Sequence, residues 1–263
     1  MSSNMTHTQI IQLYKDGTSN KELSHLTGLH RVTVQRILKK NNITLRKTRK
    51  SELKLNKSFF SEYNKESCYW AGFILADGNI RKNRNTLQIT LKNTDITHLN
   101  KFLNCIKCYD YRAKENKKKT IATITISIDE YKLDLNTFFD IGPQKTFTSK
   151  ISDKIPVDFY PDFIRGIFDG DGCVGYSNCI YINFVCTIQI LDKLTKLFYD
   201  IGVRLKSKNI IPPIQKRSIN NLVGSIHYSG KNSKIILEYL YKDSEDHIRL
   251  ERKYQKYKIN YGE

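Results

Sequence analysis

The sequence predicts an α+β protein in which two pseudo-symmetric αββαββα repeats follow a small all-α domain. Two observations predict the repeats: one ten-residue pattern occurs twice, and a similar order of helical and alternating stretches follows each copy. A third observation, three short amphipathic stretches near the start of the chain, predicts the all-α domain. In a chain of 263 residues we expect the all-α domain at 1–45, a basic linker at 46–58, and the repeats at 59–150 and 151–263.

The repeated pattern occupies residues 70–79 and 164–173, and in both copies a small residue follows a glycine at a distance of four. These small positions are Gly72 and Ala76 in the first copy and Gly166 and Gly170 in the second. Residues four apart lie on the same face of a helix. Two such helices can bring their backbones into close contact, because no large side chain lies between them. The pattern therefore predicts that the two repeats pack through this pair of helices.

Each copy of the pattern ends in an Asp-Gly dipeptide, at Asp77 and Asp171, which lie 94 residues apart. Helices that cross at their small residues would form a close contact, called the seam below. The two carboxylates would then meet at one end of this seam. Adjacent carboxylates repel each other unless a cation lies between them, and Mg²⁺ accepts carboxylate, carbonyl and water oxygens. The pattern therefore predicts a metal site. The alternative is two buried helices that end in ordinary turns, since Asp-Gly is a common turn dipeptide.

The two patterns resemble the LAGLIDADG motif of the homing endonucleases, and the resemblance covers residues 59–263. It implies that the two motif helices form the interface between two halves, and that the last acidic residue of each motif binds the catalytic metal. In this chain those residues are Asp77 and Asp171, and the carbonyl groups of Ala76 and Gly170 are the further ligands implied. The expected cofactor is Mg²⁺, or Mn²⁺ in its place.

One position departs from the motif: its earlier acidic residue is present as Asp169 in the second copy but is Leu75 in the first. This position is not a metal ligand in the family. The resemblance also implies a basic residue beside each scissile phosphate, after the last helix of each half. Lys145 and Lys253 occupy those places and would polarise water or stabilise the transition state. The alternative is that both are ordinary surface residues of a lysine-rich chain.

The net charge predicts a polyanionic partner. The chain has 44 Lys and Arg against 26 Asp and Glu, a formal charge of +18. It has neither an apolar stretch of the ~20 residues that a membrane span needs nor an apolar signal segment. We therefore expect a soluble, intracellular protein that binds nucleic acid, without a membrane or secretion. The resemblance implies that it is a monomer and that its partner is double-stranded DNA with a long specific site. Its six cysteines are expected to be free thiols, although Cys105-x-x-Cys108 has the spacing of a zinc-ligand pair.

The first 45 residues contain three short amphipathic stretches with a glycine turn before the third, and this pattern, over roughly residues 8–40, resembles the helix-turn-helix domains of resolvases and invertases. A capping box, Ser19-x-x-Glu22, starts the second helix, where Leu23 and Leu26 are expected to face inward, and a glycine follows that helix. The third helix would then lie in a major groove. The residues expected to read bases there are Arg31, Gln35, Arg36 and Lys39. The alternative is a structural three-helix module with a solvated basic face.

The linker is predicted to contact DNA phosphates, because basic residues dominate it without apolar periodicity. Residues 1–58 carry 12 Lys and Arg against 3 acidic residues. The linker residues expected to bind DNA are Arg46, Lys47, Arg49 and Lys50. A solvated tether is the alternative interpretation.

Alternating stretches predict the strands, and each sheet is expected to present a polar face to a major groove. In the first repeat we expect strands near 80–84, 87–91, 109–114 and 121–128, and helices near 95–107 and 133–140. In the second we expect strands near 174–176, 181–186, 203–208 and 222–228, and helices near 191–201, 233–241 and from 248. The sheet residues expected to contact DNA are Arg81, Gln88, Thr90, Lys92, Arg204, Lys206 and Lys208.

The activity that the resemblance implies is site-specific, metal-dependent cleavage of both DNA strands, staggered to leave short 3′ overhangs. Two other functions remain open at this point. One is an RNA maturase that assists intron splicing, against which a helix suited to a B-form major groove argues. The other is a DNA-binding regulator on an inactive nuclease scaffold, against which the presence of both motif carboxylates argues.

Overall fold

A computed structural model describes residues 5–45, 53–82, 84–204, 214–216 and 222–261. The chain divides into two compact units, Met1–Glu52 and Leu53–Glu263. Among the described residues, no helix is both long and apolar enough to cross a membrane.

In its described residues, 5–45, the first unit contains three short helices, α1 (His7–Lys15), α2 (Asn20–Thr27) and α3 (Arg31–Lys40). Its core is formed by apolar side chains from all three, namely Ile10, Tyr14, Leu23, Val34, Ile37 and Leu38. Leu26 was expected to face this core, and that expectation is wrong, because its side chain is 49% exposed. Since α2 has only eight residues, its packed face is narrow, and Leu23 and Thr27 are its buried residues.

The predicted capping box starts α2. The Ser19 amide donates to Glu22 Oε2 (2.8 Å), and the Glu22 amide donates to Ser19 Oγ (3.2 Å). The helix ends at Gly28, whose φ of 67° is the left-handed conformation that glycine adopts without strain. The capping box thus sets where α2 begins, and Gly28 lets the chain turn sharply between α2 and α3.

The second unit contains two halves with the same order of elements, αββαββα, followed by a last helix. The first half has α4 (Lys65–Asp77), β1 (Gly78–Ile80), β2 (Thr86–Lys92), α5 (Ile96–Cys105), β3 (Lys114–Glu115), β4 (Ile121–Ser127) and α6 (Asp129–Phe139). The second half has α7 (Tyr160–Asp171), β5 (Gly172–Ser177), β6 (Cys179–Thr187), α8 (Ile188–Asp200), β7 (Gln215–Lys216), β8 (Val223–Ser229) and α9 (Lys231–Tyr241), before α10 (Glu251–Tyr261).

Each half forms one antiparallel sheet, with strand order β1-β2-β4-β3 in the first and β5-β6-β8-β7 in the second. Inward-facing residues alternate with polar ones along β2 and β4, so that each sheet packs one face on the helices and leaves the other open. One apolar core runs through both halves. The predicted α+β class is confirmed.

Helices α4 and α7 pack against each other through glycine, as the repeated pattern predicts. A Cβ atom placed on Gly72 would overlap the carbonyl oxygen of Phe163 in α7. A Cβ placed on Gly166 would overlap the backbone of Tyr69 and Phe73 in α4. Because backbone atoms cannot move aside as a flexible side chain can, the seam accepts only glycine at these two positions.

The strand expected near 203–208 does not begin where it was placed. Val203 and Arg204 lie in an irregular stretch after α8, and residues 205–213, including Lys206 and Lys208, lie outside the described residues. The Arg204 guanidinium donates to the carbonyl oxygens of Tyr199 (2.5 Å) and Val203 (2.9 Å). It thus caps the C-terminal end of α8, so Arg204 is not part of a strand face. The expectation of a strand is therefore wrong at Val203 and Arg204, the two of its positions that lie within the described residues.

The expected strand near 109–114 is reduced to two residues, Lys114 and Glu115. Tyr109 is exposed, and Arg112 donates to the carbonyl oxygens of Tyr109 (2.8 Å) and Tyr111 (3.1 Å). Two backbone carbonyls of this segment therefore accept from a side chain rather than from a sheet partner.

Candidate active site

The two motif helices end side by side at their aspartates. Helix α4 ends at Asp77 and α7 ends at Asp171. A Cβ placed on Gly170 would lie 3.4 Å from Asp77 Oδ2, so the Asp77 carboxylate reaches the last turn of α7. A cavity of about 210 Å³ opens beside them and is lined by Ala76, Lys145, Asp171 and apolar side chains from β6, α7 and α8. The geometry expected for the two carboxylates is therefore present.

Both carboxylates have raised pKa values. Burial raises the pKa of Asp171, and repulsion from Asp77 adds to it, bringing it to about 6. Burial also raises the pKa of Asp77, while the ammonium groups of Lys253 and Lys145 oppose that shift. Solvent reaches both side chains, which fits a cleft that is walled by protein and open on one side. Such a cleft favours a bound cation over two free charges.

The donor set fits a hard divalent ion. Among the described residues, neither Asp77 nor Asp171 accepts a hydrogen bond or forms a salt bridge. Two neighbouring carboxylates that lack local donors, next to the backbone carbonyls of Ala76 and Gly170, supply the oxygen ligands that Mg²⁺ and Mn²⁺ prefer. The Ala76 carbonyl also accepts a hydrogen bond from Lys145 Nζ (3.1 Å).

Each motif helix has one lysine at its C-terminal end. Lys145 Nζ donates to the carbonyl oxygens of Leu75 (2.6 Å) and Ala76 (3.1 Å) in α4. Helix ends expose carbonyl oxygens that lack intrahelical donors and carry partial negative charge, so an ammonium group is stabilised there. Burial lowers the pKa of Lys145, and Asp171 and Asp77 oppose that change.

Lys253 makes the corresponding contacts at the end of α7. Its Nζ donates to the carbonyl oxygens of Phe168 (2.5 Å), Asp169 (2.8 Å) and Gly172 (2.6 Å). The side chain is 2% exposed, and burial lowers its pKa to about 8. Lys253 is thus not an ordinary surface lysine. An ammonium group has three N–H donors, and all three of these have a protein acceptor.

Asp169 has a structural role that the sequence interpretation missed. Its fully buried carboxylate accepts hydrogen bonds from the hydroxyl groups of Tyr69 (2.8 Å) and Tyr241 (2.5 Å) and from the Leu250 amide (2.7 Å). Leu250 directly precedes α10, the helix that carries Lys253. Asp169 therefore fixes the position from which Lys253 reaches α7. Leu75, its counterpart in the first half, is a buried apolar residue without such partners.

The open face of the first sheet carries a chain of hydrogen bonds that includes three of the predicted DNA-binding residues. Arg81 donates to Gln88 (3.1 Å), Gln88 donates to Thr90 (3.4 Å), and Thr90 contacts the Thr123 hydroxyl (3.0 Å). Lys92 is exposed at the end of the same strand. These side chains are held in register by their neighbours and face away from the core.

The open face of the second sheet differs from the expected one. Its side chains come from β5, β6 and β8 and include Cys173, Tyr181, Asn183 and His227, with Gln215 from β7. The rings of Tyr181 and His227 lie 5.2 Å apart. A signal for this face was present in the sequence, because inward and outward residues alternate along 179–186.

Three of the predicted base-reading residues of the first unit, Arg31, Arg36 and Lys39, are exposed on α3, and Gln35 is half-buried. They lie on the side of α3 opposite its buried residues Val34, Ile37 and Leu38. The linker residues Arg46, Lys47, Arg49 and Lys50 lie outside the described residues.

No protein-family model and no curated protein sequence matches the chain. Solved structures of LAGLIDADG proteins resemble it at low identity. The meganuclease I-AabMI bound to uncleaved DNA is 14% identical, with a TM-score of 0.42 over 67% of this chain and 83% of the other. The homing endonuclease I-GzeII in complex with its DNA target is 12% identical, with a TM-score of 0.41 over 75% and 87%.

The meganuclease I-CpaMI bound to uncleaved DNA is 11% identical, with a TM-score of 0.43 over 75% of this chain and 90% of the other. At such identities and scores the likeness concerns the arrangement of the backbone. We therefore base the function of this chain on its own residues.

Proposed function

We propose that the protein is a divalent-metal-dependent DNA endonuclease that makes staggered double-strand breaks at a long specific site. The observation that supports this most directly is the pair of carboxylates at the ends of α4 and α7. Their pKa values are raised, they accept no hydrogen bond among the described residues, and they stand next to the half-buried ammonium group of Lys145 and the buried one of Lys253. A protein that did not bind a cation there would gain stability by losing this charge arrangement.

Asp77 and Asp171 would hold Mg²⁺ or Mn²⁺, together with the carbonyl oxygens of Ala76 and Gly170. Bound metal would supply an activated water and charge stabilisation for the phosphate and the leaving oxygen. The protein groups would position that chemistry: the glycine seam holds the two helix ends together, so that both carboxylates face one duplex.

The two lysines would have different roles. Lys145 uses two of its three N–H donors on α4 carbonyls and lines the cavity beside Asp171, so one donor is available for a phosphate oxygen or a water. Lys253 has all three donors engaged on α7 and its neighbour Gly172. Its charge can stabilise an anion at a distance, but donating a hydrogen bond would require it to leave a backbone carbonyl.

The sheets and the first unit would supply the DNA contacts. Arg81, Gln88, Thr90 and Lys92 lie on an open polar face, where side chains of this kind hydrogen-bond base edges and phosphates. The helical domain at 1–45 and the basic linker at 46–58 would add a second contact region, with α3 in a major groove. The nuclease part would comprise the repeats at 59–150 and 151–263, acting as a monomer.

The test is a cleavage selection with the full-length protein on a randomised or genomic DNA library containing Mg²⁺, followed by mapping of the cut ends. We expect a long recurring site and short 3′ overhangs, with no products in EDTA. Binding without cutting at any metal concentration would favour the DNA-binding regulator. Preferential binding of a structured RNA without DNA cleavage would favour the maturase.

A further inference from the structure

Three potential metal ligands converge at the opposite end of α4 from the aspartate pair. Glu66 lies in the first turn of α4, Cys105 is the last residue of α5, and His247 lies in the short turn Asp246–Ile248 before α10. One ligand atom of each lies within 4.8 Å of the other two. Glu66 and Asp77 are separated by 11 residues of helix, about 16 Å along its axis, so the cluster is distinct from the proposed active site.

Neighbouring groups contact these three side chains in the way that groups around a metal site contact its ligands. Glu66 Oε1 contacts His247 Nε2 at 2.8 Å, which leaves the other ring nitrogen, Nδ1, on the side of Glu245 Oε2 at 3.7 Å. Trp70, a fully buried residue, donates its indole N–H to Cys105 Sγ at 3.3 Å. The N–H donor to the sulfur is a contact of this kind, and Glu245 lies 3.7 Å from His247, close enough to hydrogen-bond the ring after a small side-chain shift.

We propose that Glu66, Cys105 and His247 form a Zn²⁺ site, with water in the fourth position. Thiolate, imidazole and carboxylate are the ligands that Zn²⁺ takes in tetrahedral sites, whereas Mg²⁺ and Ca²⁺ require oxygen ligands throughout. This chemistry separates the cluster from the oxygen-only set at Asp77 and Asp171. The inference does not depend on nuclease activity.

The cluster can open to admit the ion. Two ligands on one tetrahedral zinc lie about 3.3 Å apart, given bond lengths near 2 Å, so Glu66 and His247 must separate by a few tenths of an ångström. Both side chains are partly exposed, at 41% and 38%, and can move outward. Cys105 is held by Trp70 and is the fixed point of the site.

Bound zinc would join the two halves of the second unit. Glu66 and Cys105 come from the first half and His247 from the second, and both α4 and α5 pack against the turn that contains His247. Because the ion would bind the folded protein and not the unfolded chain, zinc should raise the melting temperature.

The test uses full-length protein carrying Asp77→Asn and Asp171→Asn, stripped of metal with a chelator and titrated with Co²⁺ and then Zn²⁺. Cobalt reports thiolate ligation through a near-ultraviolet charge-transfer band and tetrahedral geometry through its visible bands. We expect one equivalent to give both signals, one equivalent of Zn²⁺ to abolish them, and Zn²⁺ to raise the melting temperature.

Variants assign the ligands. Cys105→Ser should abolish the charge-transfer band, and His247→Gln should weaken Co²⁺ binding at least tenfold. Glu245→Gln, which alters only the group behind the histidine, should weaken it about tenfold. Cys179→Ser, which removes an exposed thiol elsewhere, is the matched control and should leave the titration unchanged.

Two results would overturn the proposal. One is the absence of a saturable charge-transfer band together with no effect of Zn²⁺ on the melting temperature. The other is a band that survives His247→Gln with unchanged affinity, which would assign the thiolate signal to another site. Since His247 lies in a partly exposed turn, this variant tests the site even if Cys105→Ser fails to fold.

Discussion

The two halves of the second unit share their order of elements but end their motif helices differently. In the first half, Leu75 is buried in the apolar core and Lys145 comes from the loop after α6. In the second half, Asp169 binds two tyrosine hydroxyls and the amide that precedes α10, and Lys253 comes from α10. The lysine contacts are similar in kind and both lysines follow the last helix of their half, but Lys145 comes from a short turn and Lys253 from a long helix.

This difference shows which residues the helix contact requires and which neighbouring residues can differ between the halves. The glycines and the terminal aspartates occur in both halves, because close helix contact and paired carboxylates need both copies. The residue two positions before each aspartate differs, Leu75 in one half and Asp169 in the other. It differs because each packs against the core of its own half. A duplex bound across the seam would meet two unequal lysines, one with a free donor and one fully engaged.

The open faces of the two sheets differ in the same way. The first has Arg81 and Lys92 at its ends and a hydrogen-bonded chain between them. In the second, β5, β6 and β8 contain neither Lys nor Arg, and an aromatic pair, Tyr181 and His227, lies on the face. We infer that the two halves would contact DNA by different chemistry.

The largest expected effect concerns the position where the halves are alike. Asp77→Asn or Asp171→Asn should each lower double-strand cleavage at least about 1000-fold, since losing ~4 kcal/mol of transition-state stabilisation has that effect. DNA binding should stay close to wild type. Single-turnover cleavage and filter binding at equal Mg²⁺ measure both quantities. Substantial double-strand cutting by either variant would show that the pair does not act as one metal site.

Substitution of the two lysines should have unequal effects on the melting temperature. Lys145→Met should slow cleavage about 100-fold, a typical contribution of a positioned proton donor or acceptor, with little change in melting temperature. Lys253→Met should also destabilise the fold, because it removes the buried ammonium group that donates to the carbonyl oxygens of Phe168, Asp169 and Gly172. Strand-specific nicking assays with thermal melts distinguish the two. Equal melting temperatures for the two variants would contradict the unequal roles.

Substitution of the seam glycine should destabilise the protein in either helix, α4 or α7. Gly166→Leu and Gly72→Leu should each lower the free energy of unfolding by about 2 kcal/mol or more, because the new side chain meets backbone. Gly142→Ala is the control, since its Cβ would meet only Asn136 Oδ1 at 3.7 Å. Chemical denaturation measures all three. Wild-type stability in either leucine variant would mean that α4 and α7 do not pack at these glycines.

Sequence reasoning succeeded where the signal was local. The Gly-x-x-x-small spacing predicted the helix pair, and the capping box at Ser19 predicted the start of α2, because both depend on neighbours within one or two turns. It failed at Arg204, where alternation suggested a strand but the guanidinium binds the end of the preceding helix.

Long-range contacts gave no sequence signal. Tyr69 and Tyr241 reach Asp169 from 100 and 72 residues away, and His247 meets Glu66 from 181 residues away. No spacing rule connects such positions, so the network around Asp169 and the Glu66–Cys105–His247 cluster required the fold.

The smallest expected effect compares the two carboxylates without metal. The pKa of Asp171 is raised to about 6 by burial and by Asp77, so the folded state holds this proton more tightly than the unfolded chain does. The resulting destabilisation is therefore full above pH 6 and disappears as the pH falls towards 3.8. Asp171→Asn should then stabilise the chelator-treated protein at pH 7 by about 1 kcal/mol, after discounting the shift for solvent screening. At pH 3.5 it should have no effect.

Asp77→Asn should act in the same direction, because burial also raises the pKa of Asp77, although the charges of Lys253 and Lys145 oppose that shift. Denaturation at a series of pH values in EDTA measures both variants, and added Mg²⁺ should stabilise only the wild-type protein. A carboxylate held for a metal lowers stability when the metal is absent and raises it when the metal is bound. A stabilisation by Asp171→Asn that is independent of pH, or a wild-type protein indifferent to Mg²⁺, would show that no such site exists at the end of the seam.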